Sequence, residues 1–153
     1  MSLEIFIVVV YFTVMFSSFL FSGEPKMANF ENVQYAIRHP DRYLLINVLE
    51  LREQDCLIQG TVEAYQEEDV FNTMIQNVSE PDKVVIVYGK NNQDKKLHAK
   101  VKQIQHLGIL HVYMYFGGLF EWLLLQDIYG VEAFPTTKIV LDLLKYKPPK
   151  TII

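Results

Sequence analysis

Seven consecutive residues, Gly89-Lys90-Asn91-Asn92-Gln93-Asp94-Lys95, have the residue types and the position of an anion-binding loop. They follow Val84-Val85-Ile86-Val87-Tyr88, an apolar, β-branched run of the kind that forms a parallel strand buried on both faces. They open the stretch Gln93 to Leu107, in which Leu97, Val101, Ile104 and Leu107 recur at helical spacing and mark one apolar face. Strand, polar loop and helix start together aim backbone N–H groups and the positive end of a helix at whatever occupies the loop. A phosphate would be favoured there, and a cysteine would have a lowered pKa. Gly89 offers neither nucleophile nor acid. Lys90, Lys95 and Lys96 could attract an anion, but Asp94 would oppose it at the helix start.

Other reactive residue types are few. The single cysteine, Cys56, excludes an intrachain disulfide framework and lies far in sequence from the helix start that would activate a thiolate, so it reads as an ordinary small residue. His98 and His106 share the predicted helix but are eight residues apart. Neither they nor His39 and His111 have an Asp, Glu or Cys at a metal-ligand offset, so no metal and no cofactor are expected. Asn77-Val78-Ser79 matches the glycosylation triplet formally, a pattern common by chance.

The elements that must position the loop follow from composition and pattern. The chain has 153 residues, half of them apolar, with room for one domain and an appendage. Its 14 basic residues are outnumbered by 18 acidic ones and form no long run, which argues against nucleic acid as a partner. Asn29 is a predicted N-cap for a helix carrying Phe30, Val33, Tyr35 or Ala36, and Ile37, which ends before Pro40. Tyr43 to Val48 reads as a buried strand and Gly60 to Tyr65 as a short one. Glu67 to Asn77 reads as a helix with Val70, Met74, Ile75 and Val78 inward. Gly108 ends the helix after the loop, and His111 to Tyr115 forms the last core strand. The alternation predicts an α/β fold with a central parallel sheet and helices on both faces.

The appendage is N-terminal. Ile5 to Phe21 carries no charge and as a helix would span about 26 Å, near the lower limit for a hydrocarbon core. Met1-Ser2-Leu3-Glu4 lacks the positive charge of a signal peptide, and Ser17 to Gly23 is a poor cleavage site. The expectation is an uncleaved single-pass anchor with Ile5, Val9, Phe12, Phe16 and Phe21 in the bilayer, and a membrane among the partners. A buried helix or strand packed on protein is the alternative, left open by the β-branched and aromatic content. Lys26 and Arg38 on the far side give a weak positive-inside bias that places the domain in the cytosol. The expected organisation is residues 1–26 as anchor and linker, 27–134 as the domain and 135–153 as a C-terminal extension.

The order Leu44-Leu45-Ile46-Asn47-Val48, Leu57-Ile58-Gln59-Gly60-Thr61-Val62, Val84 to Tyr88, then Leu107-Gly108 through Val112-Tyr113 to Gly117-Gly118-Leu119-Phe120-Glu121-Trp122 resembles a rhodanese-like domain over roughly residues 29 to 130. The resemblance implies a parallel sheet of about five strands and an active-site cysteine in the loop after the fourth, which active rhodaneses use to carry a persulfide. That position aligns with Gly89. Asn47 and Leu49 stand where the resemblance would put aspartate and arginine, and Leu57 and Gln59 where it would put histidine and proline. The departures imply that no catalytic residue and no small-molecule substrate remain. Binding is then the expected use of the fold, with anion or phosphoprotein binding by the Gly89 to Lys96 loop as the alternative.

The C-terminal third carries the expected docking residues. Leu119, Phe120, Trp122 to Leu125, Ile128 and Tyr129 form a helix apolar on more than one face. Phe120, Trp122, Leu124, Ile128 and, in the tail, Tyr146 are the predicted partner contacts, with the tail packed back on its own domain as the alternative for that segment. Gly117 to Gly130, followed by Phe134-Pro135-Thr136-Thr137, is similar to the stand-alone, cysteine-lacking rhodanese-like proteins of large nucleocytoplasmic DNA viruses. That likeness implies a structural or docking component, such as a minor capsid or membrane-linked virion protein, with capsid proteins among its partners and the domain facing cytosol or capsid.

Overall fold

The structure, a computed structural model, describes Ile5, residues 24–77 and residues 83–152. Among these, strands β1 (Lys26–Ala28), β2 (Tyr43–Asn47), β3 (Val84–Tyr88) and β4 (Val112–Tyr115) form one sheet in the order β1-β4-β3-β2. Every pairing is parallel, with Lys26 opposite Tyr113, Tyr43 opposite Val84 and Val85 opposite Val112. Parallel neighbours need crossovers, and helices supply them on both faces. α1 (Phe30–Arg38) and α4 (Gly118–Tyr129) cover one face; α2 (Glu67–Gln76) and α3 (Lys96–His106) cover the other.

The period of two along a strand divides the core. Leu45, Ile86, Tyr88 and Tyr115 face α1 and α4 with Val33, Ala36, Leu119 and Trp122. Ile46, Val85, Val87, Val112 and Met114 face Phe71 of α2 and Leu97, Val101 and Ile104 of α3. Asn29 caps α1 as expected, accepting from Asn32 N at 3.0 Å while the Asn32 side chain accepts from Asn29 N at 2.9 Å. Such a reciprocal cap stabilises a helix start by about 1 kcal/mol.

Among the described residues the sheet has four strands rather than about five. Gly60 to Tyr65 contributes only a bridge from Thr61 to Leu45, with Val62 N donating to Leu45 O at 2.9 Å, because the chain turns at Ala64–Gln66 into a short 3-10 turn before a second pair can form. Conversely, Lys26, expected in a linker, begins a strand, since the first Tyr113-facing position of the sheet edge is open to it. α2 rotates from its expected orientation: Phe71 is the buried residue, Val70 and Met74 are half-buried, Ile75 is exposed, and Val78 lies outside the described residues.

The expected anchor falls almost wholly outside the described residues. Of its members only Ile5 is described, and it is exposed; Val9, Phe12, Phe16 and Phe21 are not described. Among the described residues no helix is long and apolar enough to cross a membrane.

Candidate functional site: a loop closed by its own carboxylate

The loop after β3 lies at the C-terminal ends of the strands, as the parallel topology requires. Its amides do not face an open cradle. The Asp94 carboxylate turns back into the loop, where Oδ2 accepts the Lys90 N–H at 3.0 Å and Oδ1 accepts the Lys96 N–H at 3.1 Å. Asn91, buried, accepts the Gln93 N–H on Oδ1 at 3.0 Å. An anion would need these donors, and the chain's own side chains hold them.

The same carboxylate explains the glycine. A Cβ placed on Gly89 would lie 2.7 Å from Asp94 Oδ2 and 2.8 Å from Asp94 Cβ. Gly89 has no positive φ, so the residue is required by space and not by backbone conformation. Gly118 is constrained both ways: its φ is +64°, and a Cβ there would lie 2.5 Å from Gly89 O. This close approach lets the first turn of α4 donate Leu119 N–H to Gly89 O and Phe120 N–H to Lys90 O, both at 3.0 Å. The start of α4 is therefore committed to loop carbonyls.

Two of the three candidate anion-attracting lysines are also engaged. Lys90 Nζ lies 2.7 Å from Glu53 Oε1, and Lys96 pairs with Glu50. Lys100 of α3 pairs with Glu67 at the start of α2. The acidic segment between β2 and α2 thus faces the basic loop and helix, while Lys95 is exposed, as are Asn92 and Gln93. These pairs keep partial contact with water and contribute up to about 1 kcal/mol each.

From the other side the tail closes the loop. Asn91 Nδ2 donates to Tyr146 O at 2.9 Å, and the Tyr146 ring is buried with Lys90 and Lys145 over it. Upstream, Thr136 bridges Ile58, Trp122 Nε1 donates to Pro135 O at 3.1 Å, and Gln126 Nε2 donates to Phe134 O at 2.7 Å. The Gly117 to Gly130 and Phe134 to Thr137 stretches are accordingly one hydrogen-bonded unit.

Cys56 is buried, its thiol donating to Lys138 O at 3.2 Å, and burial pushes it above its ordinary pKa, the opposite of an activated nucleophile. Leu49 and Leu57 are core residues, and Asn47 is buried and accepts the Leu49 N–H. Among the described residues no three His, Cys, Asp or Glu side chains converge. Of the five predicted contact residues, Trp122 and Tyr146 are corrected to core positions at 0% and 1% exposure, because the tail folds back over α4 and the loop. Phe120 is half-buried, while Leu124 and Ile128 are exposed at 38% and 69%. Sequence reasoning missed Glu50, Glu53 and Tyr146 as partners of the loop; each reaches it across a long sequence separation and leaves no local signal.

The crystal structure of the Alr3790 protein from Anabaena sp. matches with a TM-score of 0.51 and 19% identity, over 74% of this chain and 82% of that one. Another structure from that protein, described as its rhodanese-like domain, matches at 22% identity with a TM-score of 0.43, over 76% of this chain and 85% of that one. The chain has the rhodanese-like fold. A single-domain sulfurtransferase of Saccharomyces cerevisiae, RDL2, gives 23% identity and a TM-score of 0.48, over 74% of this chain and 98% of that one. At these identities the likeness is one of fold. No protein-family model matches the chain, and no curated protein matches its sequence.

Proposed function

We propose that this protein is a catalytically inactive, membrane-anchored member of the rhodanese-like fold that works as a structural or docking component. The observation that carries the reading is the Asp94 carboxylate, bound by the loop's own amides and lying where any side chain at position 89 would begin. A persulfide mechanism needs a thiolate in that space. The buried, hydrogen-bonded Cys56 is no substitute.

The docking role is supported by Leu124 and Ile128, exposed one helical turn apart beyond half-buried Phe120 on α4, and by exposed Leu141 and Leu144 on the tail. The uncharged run Ile5 to Phe21 supports an anchor and linker that end where Lys26 enters β1. Residues 26–134 then serve as the domain and 135–153 as an extension strapped across it. The likeness of the α4 and Phe134 to Thr137 unit to viral rhodanese-like proteins supports a setting at a virion membrane or capsid. The anion-binding alternative is disfavoured by the same carboxylate and by the Glu50 and Glu53 ion pairs.

The test is twofold. Native membranes or particles washed with alkaline carbonate should retain the protein, and crosslinking from Lys145, Lys147 and Lys150 should join it to a capsid or membrane protein. Thiosulfate-to-cyanide transfer that vanishes in Cys56→Ser would refute inactivity, and complete release into the carbonate wash would refute the anchor.

A further inference from the structure

The 3-10 turn Leu143–Tyr146 packs against α4, and both elements bury one side in the same core, Leu119, Trp122 and Leu123 from the helix and Leu143 and Tyr146 from the tail. Their outer sides are aliphatic and open to solvent. Leu124 and Ile128 lie one turn apart on α4 with Val131 just beyond it, and Ile139, Leu141 and Leu144 stand out from the tail, Leu141 at 99% exposure. With a fully exposed aliphatic side chain offering about 120 Å² of apolar surface, these six present roughly 450 Å². A stable interface takes about 800 Å² per partner, of which about 60% is apolar, so the patch has the size of a protein contact.

The charges around the patch are divided between its two halves. Residues 118–137, which hold α4 and the turn after it, carry Glu121, Asp127 and Glu132 and no basic residue, a net charge of −3. Residues 138–150 carry Lys138, Lys145, Lys147 and Lys150 against the single acid Asp142, a net charge of +3. Among the described residues none of these side chains is spent in an ion pair within the chain. The acidic half repels nucleic acid and anionic headgroups, and the basic half repels a uniformly basic partner. The chain itself supplies a surface that matches both halves at once: the same patch turned about a two-fold axis, which lays each α4 on the other copy's tail.

We propose that this face is the interface of a homodimer, with α4 of each copy lying on the tail of the other. The inference rests on the docking reading above, which takes this face as the one that binds protein, and it names the occupant as a second copy of the chain. Leu124, Ile128, Leu141 and Leu144 form the apolar centre, with the exposed Asp127 and Glu132 set against the basic half of the other copy. Every contact of a two-fold occurs twice, so one complementary pairing of half-patches offsets both the −3 and the +3.

Sedimentation equilibrium of the full chain in mild detergent provides the test. The parent should dimerise with a dissociation constant of about 1 µM or tighter. One variant, Asp127→Lys with Glu132→Lys, makes both halves basic; another, Lys138→Glu with Lys147→Glu, makes both acidic. Each alone should raise the dissociation constant about tenfold or more while keeping the parent's urea midpoint. Mixed in equal amounts under different affinity tags, the two should co-purify as a heterodimer, because each half of one then meets an opposite half of the other. A parent that stays monomeric, a dimer indifferent to the reversals, or variants that do not pair when mixed would overturn the second copy. Crosslinks from Lys145, Lys147 and Lys150 to another protein in native material would then leave the docking reading standing, and their absence would overturn both.

Discussion

Introducing a methyl group at position 89 while removing the Asp94 side chain is the most direct test of the closed loop. Gly89→Ala alone drives its Cβ to within 2.7–2.9 Å of three Asp94 atoms, one of them the Cβ, which cannot swing away without moving the helix start. Overpacking of this kind costs about 2 kcal/mol. Asp94→Gly alone removes two hydrogen bonds, to Lys90 N and Lys96 N, at about 1 kcal/mol each, so it also costs about 2 kcal/mol. If the two costs share one cause, the double variant loses only the hydrogen bonds. It should be about as stable as Asp94→Gly, which is a coupling of about 2 kcal/mol between the sites. Urea midpoints and thermal melts of the full chain in mild detergent would read it, each single variant melting roughly 5–10 °C lower. Additive losses in the double variant would refute the claim that Asp94 is what forces glycine at position 89.

Tyr88→Phe removes the hydroxyl that accepts the Ile58 N–H at 3.1 Å and pairs with Thr61 Oγ1 at 2.7 Å; leaving that buried amide unmatched should cost about 2 kcal/mol in a urea titration. Tyr146→Ala should cost about 3 kcal/mol by opening the core beneath the loop. Leu124→Ala and Ile128→Ala should stay within about 0.5 kcal/mol of the parent in the same titration while reducing crosslinks to the partner. Burial holds the Cys56 thiol above 9.0 and the Tyr88 hydroxyl above 10.0, so the unfolded chain ionises first as pH rises. Stability should be full below about pH 9 and fall above it, with Cys56→Ser removing the earliest part of the loss; urea midpoints that stay flat to about pH 10.5 would contradict this.

What the sequence determined by itself was everything carried by local period and local chemistry. The β-branched run Val84 to Tyr88, the Asn29 cap, the apolar stripe Leu97, Val101 and Ile104 and the stop at Gly108 all act within a few residues of themselves, and they place the loop between a buried strand and a helix. The absence of a nucleophile at 89 and the opposing charge of Asp94 were legible for the same reason. Tertiary structure alone decided that Asp94 folds into the loop and that Glu50, Glu53 and Tyr146 close it. It also decided that Trp122 and Tyr146 are core and not contact surface. A helix apolar on two faces does not encode which face is covered. That depends on where residues 135–146 return, a choice made by pairings such as Thr136 with Ile58, 78 positions apart in the chain.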